Sequence, residues 1–223
     1  MVREHIDTID SLMARYVAGT LPLPAHVLVQ SHLELREGAR TFVSDLEAMA
    51  GDTLESLAPA PIAARDDLLD RIFQSKPDSI RLTPMDFRTD MSRTAPSEGS
   101  MPLALRDFVG FDIADVPWRT KMPGFKEYDM GEIDGCHVSM FWLRPGRAVP
   151  AHTHHGCEIS LVLKGAFSDG MGRYGPGDIS VADDDIDHRP VAESHGPCIG
   201  FAVTDAPLRL TGSFRQLIGD LIG

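Results

Sequence analysis

The stretch "GRAVPAHTHHGCEISLVLKG", residues 146–165, is the part of the sequence that decides the fold. It ends in an apolar run typical of a strand, and three histidines and a glutamate lead into that run. Alternate residues of a strand project to the same face, so His152 and His154 point together, with their Cα atoms about 6.6 Å apart. Glu158 has the same parity but would lie about 13 Å beyond His154 on a straight strand. We therefore expect the chain to turn at Gly156, where glycine can take a positive φ.

These residue types in this spacing favour a metal site. A fourth ligand should come from a neighbouring strand, and the segment "YGPGDISVAD" (174–183) predicts a turn and a strand that lead to a further histidine. Three imidazoles and one carboxylate suit zinc, iron, manganese or nickel. The alternative is that the two spaced histidines lie on an exposed strand and bind nothing. We predict that one divalent metal is bound by His152, His154, Glu158 and His188.

Three details around this stretch have simple interpretations. Pro176 and Gly177 fit the two central positions of a type II turn. The acidic residues within 183–187 are better explained by a solvated turn than by a cation loop. Cys157 has the wrong parity for a ligand, so we expect a neutral thiol. If it is exposed beside a metal, it becomes a candidate oxidation sensor.

Short strands continue on both sides of this stretch. From residue 105 onward, runs such as "VSMFWLRPG" and "CIGFAVT" are separated by glycine turns, which predicts a β-sandwich or barrel. The segment "GSFRQLIGDLIG" (212–223) predicts a short amphipathic helix.

The first part of the chain has a helical pattern instead. Apolar residues recur at spacings of three and four, which predicts a helix that ends at Gly19, a second that Pro24 opens and that runs on to residue 49, and a third within 61–76. Three short helices form only a marginal core, so such a domain often completes its apolar surface against a partner.

Together these patterns predict an α+β chain of two domains. A small helical N-terminal domain (1–75) is followed by a proline-rich linker (76–104) and by a β-barrel (105–223).

Composition narrows the function classes. The chain has 223 residues and a formal net charge of -12, which argues against direct binding of nucleic acid or of an acidic membrane. No apolar run approaches the ~20 residues that span a bilayer, and the N-terminus has no apolar signal region, so we expect a cytoplasmic protein. The three cysteines form no CxxC pair, which is typical of reduced thiols.

The quoted stretch resembles the first cupin motif. That motif has a glycine, five residues, HxH, three or four residues, a glutamate, six residues and a glycine. The matching residues are Gly146, His152, His154, Glu158 and Gly165. The later segment with Pro176, Gly177 and His188 is similar to the second motif. The resemblance implies a double-stranded β-helix that holds one divalent metal, expected to be zinc, through His152, His154, Glu158 and His188.

The resemblance extends over nearly the whole chain. A helical segment containing "RYVAGTL", a proline-rich linker and a C-terminal cupin resemble the ChrR-type anti-sigma factors. This resemblance implies that the helical part clamps an extracytoplasmic-function sigma factor and that the cupin part is needed to release it after an oxidative signal.

One departure from that family concerns its second zinc. The family's helical part binds zinc through His-x3-Cys-x2-Cys, but here His32 is followed by Arg36 and Ala39 at the cysteine places. We therefore expect no zinc in the N-terminal helices and no ligand role for His32. Arg36 is expected to pair with Glu37, Glu34 or Asp7.

Three interpretations of the function remain. The favoured one is a regulator that binds a sigma factor and carries a metal-binding cupin; whether it forms a homodimer is left open. The alternative is a metal-dependent cupin enzyme, a dioxygenase or isomerase, although no second set of acid–base residues stands out near the motif apart from His155 and His195. A third reading is a metal-binding cupin whose helical part has lost its partner.

Overall fold

The computed structural model describes residues 9–75, 101–150, 152–154, 156–183, 189–205 and 208–210, and within 152–154 and 208–210 it describes the backbone. The predicted C-terminal helix, most of the predicted linker and His188 lie outside these residues.

The described helices are four in the first third of the chain, where helices were predicted, and a fifth at residues 103–109, where the sequence analysis predicted none. They are α1 (Ile9–Val17), α2 (Leu23–Leu35), α3 (Glu37–Ser56), α4 (Arg65–Gln74) and α5 (Leu103–Val109), with a short 3-10 turn at Ile113–Asp115. Gly19 follows α1 with a φ of 66°, and Pro24 lies in the first turn of α2, so both predicted helix boundaries are confirmed.

The predicted second helix is wrong in one respect, because it is two helices. Arg36 leaves the helical region with φ -125° and ψ 96°, which ends α2 and allows α3 to begin at the next residue. The guanidinium of Arg40 in α3 donates to the carbonyls of Leu33 and Glu34 at 2.5 and 3.0 Å. The break is therefore stabilised by a side chain that satisfies carbonyls at the end of α2.

The strands form antiparallel sheets, which confirms the predicted order of helices first and strands after. They are β1 (Arg119–Met122), β2 (Phe125–Ile133), β3 (Cys136–Leu143), β4 (His152–His154), β5 (Glu158–Lys164), β6 (Phe167–Ser168), β7 (Arg173–Tyr174), β8 (Ile179–Ala182), β9 (Val191–Ala192), β10 (Cys198–Thr204) and β11 (Leu208–Leu210). A six-stranded sheet has the order β1-β2-β3-β10-β5-β8, a three-stranded sheet has the order β7-β6-β9, and β4 pairs with β11.

The main core lies between the six-stranded sheet and the helices. Leu12 of α1 and Leu28 of α2 are fully buried in the same cluster as Leu161 of β5 and Phe201 of β10. A second, smaller cluster joins the six-stranded sheet to the three-stranded one through residues such as Phe167. The helices α1 and α2 thus bury their apolar faces against the strands.

Contacts group the chain into two compact units. One contains residues 1–48 and 95–223, and the other contains residues 49–94. The described part of the second unit, with the end of α3 and all of α4, leaves its large apolar side chains exposed, and Phe73 is 82% exposed. The domain boundaries given above from the sequence stay a prediction.

Candidate metal site and the contacts of helix α2

The predicted metal ligands begin on two neighbouring segments. His152 and His154 are the first and third residues of β4, paired with Leu210 and Leu208 of β11, so they occupy positions of the same parity on one strand. Glu158 is the first residue of β5, after a turn. The structure thus places three of the four predicted ligands on either side of one turn. His188 lies outside the described residues, and the four-ligand set stays a prediction.

The turn between the strands is fixed by Asp205, a residue that the sequence analysis missed. Asp205 Oδ1 accepts the N–H of Cys157 at 2.6 Å, and the Asp205 N–H donates to the Cys157 carbonyl at 3.1 Å. A Cβ atom on Gly156 would lie 1.9 Å from Asp205 Oδ1. Gly156 does not have a positive φ, so that prediction is wrong. Glycine is required here because a carboxylate approaches its backbone closely.

Glu158 lies within the sheet and has an oriented carboxylate. It is half-buried and pairs with Thr204 of β10 on one side and Ala182 of β8 on the other. Ser160 Oγ donates to Glu158 Oε1 at 3.1 Å. Carboxylates that bind metals are commonly held by such second hydrogen bonds. Among the side chains that the structure describes, which do not include those of His152, His154 and His188, no group of three or more His, Cys, Asp or Glu could hold a metal.

The donor set fits a divalent metal on chemical grounds. Imidazole nitrogens and a carboxylate oxygen are ordinary ligands of zinc, iron and manganese. The carboxylate of Glu158 is already oriented, and the Asp205 contacts fix the turn between it and the histidine strand.

Cys157 has the character of a packed thiol. Burial, together with the carboxylates of Asp205, Asp183 and Glu158, raises the pKa of Cys157 to about 12. An oxidation sensor needs a thiolate with a lowered pKa, so the neutral-thiol interpretation is the better supported of the two. Within the described residues, the three cysteines are free thiols.

His32 has a structural partner in the strand region. It is 8% exposed, and its Nδ1–H donates to the Gly177 carbonyl at 2.6 Å. Burial lowers the pKa of His32, while the hydrogen bond to Gly177 opposes that effect. Gly177 has a φ of 85°, and the Asp178 N–H donates to the Gly175 carbonyl at 2.9 Å, so the predicted type II turn is confirmed.

Arg36 pairs with a residue far away in the sequence. Its Nη2 donates to Asp178 Oδ1 at 2.5 Å, and both side chains are partly exposed. The expected pairing with Glu34 or Glu37 is therefore wrong, because the side chain leaves the helix where α2 breaks and points to the turn before β8. The third expected partner, Asp7, lies outside the described residues. Glu34 instead accepts the N–H groups of Leu103 and Ala104 at 2.7 and 2.9 Å, at the start of α5. We call the two contacts His32–Gly177 and Arg36–Asp178 the α2 latch.

The other end of α2 is also held by the strand region. The N–H of Leu23 donates to Asp134 Oδ2 at 2.8 Å. Asp134 and Gly135 form the hairpin turn between β2 and β3, with φ of 52° and 75°, which is the pattern of a type I′ turn. The helix is thus bound to the sheets at its first and last turns.

Comparisons with known proteins agree with this architecture. Residues 107–206 match the family model described as the ChrR cupin-like domain. The anti-sigma-E factor ChrR of Cereibacter sphaeroides is 35% identical over 220 residues, which cover 97% of this chain and 96% of that protein. The solved structure of Rhodobacter sphaeroides SigE in complex with the anti-sigma ChrR matches with 33% identity and a TM-score of 0.67, covering 92% of this chain and 100% of the matched one. In the described part of the chain, no helix is long and apolar enough to cross a membrane.

Proposed function

The chain belongs to the family of ChrR anti-sigma factors, and from that premise we propose that it binds an extracytoplasmic-function sigma factor through its helical region. The observation that carries the proposal is the similarity to ChrR over nearly the full length of both chains, helices and cupin-like part together. We further propose that it works in the cytoplasm, where a sigma factor is available.

The exposed face of α4 is the surface that we assign to this partner. Leu68, Leu69, Ile72 and Phe73 share one side of the helix, and Ile72 and Phe73 are 63% and 82% exposed. An apolar helix face of this kind binds in a groove of a partner protein. The net charge of -12 favours approach to a protein that must otherwise bind DNA.

The cupin-like part is proposed to hold one divalent metal, zinc, through His152, His154, Glu158 and His188. Support comes from the positions of the first three around one turn and from the hydrogen bond that orients Glu158. Bound zinc would stabilise this end of the barrel, since structural metals contribute to the free energy of folding. Release of the sigma factor after an oxidative signal is proposed from the family resemblance.

The α4 surface is tested with the full-length chain. The probes are Rhodobacter sphaeroides SigE and any extracytoplasmic-function sigma factor that the gene next to that of this chain encodes. We expect the wild-type chain to bind one of them and the double variant Ile72→Asp, Phe73→Asp to weaken binding at least about tenfold, as loss of a buried aromatic anchor does. Asp67→Asn, on the opposite side of α4, is the matched control and should bind normally.

Absence of binding to either sigma factor would contradict the proposal. Oxygen consumption with a small diketone or thiol by such a non-binding chain would favour the enzyme alternative. Equal binding by the α4 double variant and the wild type would remove α4 from the interface.

A further inference from the structure

The latch brings the end of α2 into close contact with the turn before β8. Besides the two polar contacts, a Cβ atom on Gly177 would lie 3.0 Å from the Arg36 Cγ and Nε atoms and from Leu35 Cβ. The helix therefore packs so closely on the backbone of the turn that an added carbon would displace Arg36 or Leu35. Glycine is favoured at position 177 both because φ is positive there and because the helix lies close to its backbone.

The same turn is hydrogen-bonded to β5. The Gly177 N–H donates to the Val162 carbonyl at 2.8 Å, and the Val162 N–H donates to the Asp178 carbonyl at 3.0 Å. Glu158, four residues earlier on β5, is a proposed metal ligand. One strand thus connects the candidate metal site to the turn that holds α2.

On the helical side, the latch acts at the junction of two helices. Arg36 is the residue between α2 and α3, so its bond to Asp178 fixes the point at which α3 begins. Arg40 keeps the junction itself intact by binding the carbonyls of Leu33 and Glu34. If the turn at Gly177 and Asp178 moved, the start of α3 would therefore move with it.

We propose that the α2 latch couples the cupin-like part to the helical region by holding the α2–α3 junction in the form that binds the sigma factor. This inference rests on the proposed function. It assigns Arg36, His32 and Gly177 as positioning residues that need not touch the sigma factor. It also makes sigma binding depend on the strand region, and not only on the helices.

The first test compares two glycine substitutions in the full-length chain. Gly177→Ala adds a methyl group against Arg36 and Leu35 at a residue with φ of 85°. Gly131→Ala is the matched control, because Gly131 has a φ of 79° and nothing within 4 Å of the added carbon. Both variants carry the same backbone strain, and only the first disturbs the latch.

The second test removes the ion pair without adding bulk. Arg36→Met keeps the apolar stem and loses the bond to Asp178. Arg173→Met is its control, because it removes an exposed ion pair of similar length, the 2.6 Å contact with Glu193. A partly exposed ion pair contributes little free energy, so we expect Arg36→Met to raise the dissociation constant for the sigma factor at most about fivefold.

Two readouts are measured on each variant: amide hydrogen exchange at residues 31–35, and the dissociation constant for the sigma factor that binds the wild type. We expect Gly177→Ala to speed exchange and weaken sigma binding about tenfold more than Gly131→Ala. Arg36→Met should show both changes to a smaller degree than Gly177→Ala and exceed Arg173→Met. Sigma binding that is as tight in the latch variants as in their controls, or tighter, overturns the coupling.

Failure of the proposed function and failure of the latch proposal give different results. If the wild-type chain binds neither sigma factor, the proposed function fails, while the exchange measurement still decides whether the latch holds α2. Equal exchange in Gly177→Ala and Gly131→Ala then overturns the latch as well. Faster exchange in Gly177→Ala alone supports the connection between turn and helix without a sigma partner.

Discussion

At the scale of single residues, the closest contact in the candidate metal site involves Gly156 and Asp205. We expect Gly156→Ala to lower the free energy of unfolding by about 1–3 kcal/mol, because the added methyl group collides with a carboxylate that is already bonded to the next residue. Urea denaturation measures this. Gly170→Ala is the control, since nothing lies within 4 Å of its added carbon. Equal losses in the two variants would contradict the crowding argument.

His32 should make stability depend on pH. Burial lowers its folded pKa below the unfolded value, which is about 6.5, so the unfolded state binds more protons as the pH falls. The stabilisation is therefore complete above the unfolded pKa and is lost as the pH falls towards the folded pKa. Arg36 and Asp178 are the charged groups that act on His32, with opposite effects on its pKa.

The corresponding experiment is urea denaturation of the wild type and His32→Gln between pH 7.5 and 5. Glutamine can still donate to the Gly177 carbonyl but does not titrate. We expect a smaller loss of stability on acidification in the variant. Burial also lowers the pKa of His26, which is present in both proteins, so both retain part of the dependence of stability on pH. An unchanged slope would show that His32 does not carry the effect.

The glycines also show which residue roles the sequence reveals. The turn at Gly177 was predictable, because a proline followed by a glycine has a strong local preference for this turn. The reason for Gly156 was not, because its neighbour Asp205 is far along the chain. The partner of Arg36 was missed for the same reason, at a separation of 142 residues.

At the scale of elements, α2 is defined by its ends. The proline at its start and the glycine before it were readable as local signals. The break at Arg36 was not readable, because the apolar spacing continues across it into α3. Two contacts act where the helix ends. Arg40 donates to its last carbonyls, and Arg36 binds the carboxylate of Asp178, which is distant in the sequence.

The first turn of α2 offers a test of the contact with the β2–β3 hairpin. We expect Asp134→Ala to cost about 1–2 kcal/mol, because it removes the acceptor for the Leu23 N–H and places alanine at a φ of 52°. Asp134→Asn should cost much less, since asparagine tolerates this φ and keeps an oxygen acceptor. Thermal unfolding compares the variants. Equal destabilisation by both would show that the negative charge, and not the hydrogen bond, is what matters.

At the scale of the whole molecule, the proposed metal stoichiometry can be measured. We expect elemental analysis to find one zinc per chain in the wild type and a clear loss in His154→Ala and Glu158→Gln, with lower thermal stability in both. His195→Ala, outside the proposed ligand set, is the control. Unchanged metal content in His154→Ala would rule out the assignment.

The same measurement addresses the N-terminal helices. His32→Gln should leave the metal content unchanged, because the positions of two family ligands are occupied by Arg36 and Ala39. A second zinc in the wild type that disappears from His32→Gln would contradict the expectation that these helices bind none.

The molecule as a whole was predictable in its order of helices and strands but not in its packing. Periodicity shows that α1 and α2 have apolar faces, and it does not show what covers them. In the structure, strands such as β5 and β10 do so, through Leu161 and Phe201. Burial against strands that are distant in the sequence produces no local sequence pattern, so the packing of these helices on the strands was not predicted.

The long sequence separations in the contacts of α2 have a consequence for synthesis. The helix leaves the ribosome first, while its partners Asp134 and Asp178 follow 111 and 142 residues behind the groups that they bind. At ~5–20 residues per second, the second delay lasts roughly 7–28 s. A nascent or truncated chain therefore displays its helices before the support for them exists. If the latch is that support, we expect a chain to sequester a sigma factor only once synthesis has passed Asp178.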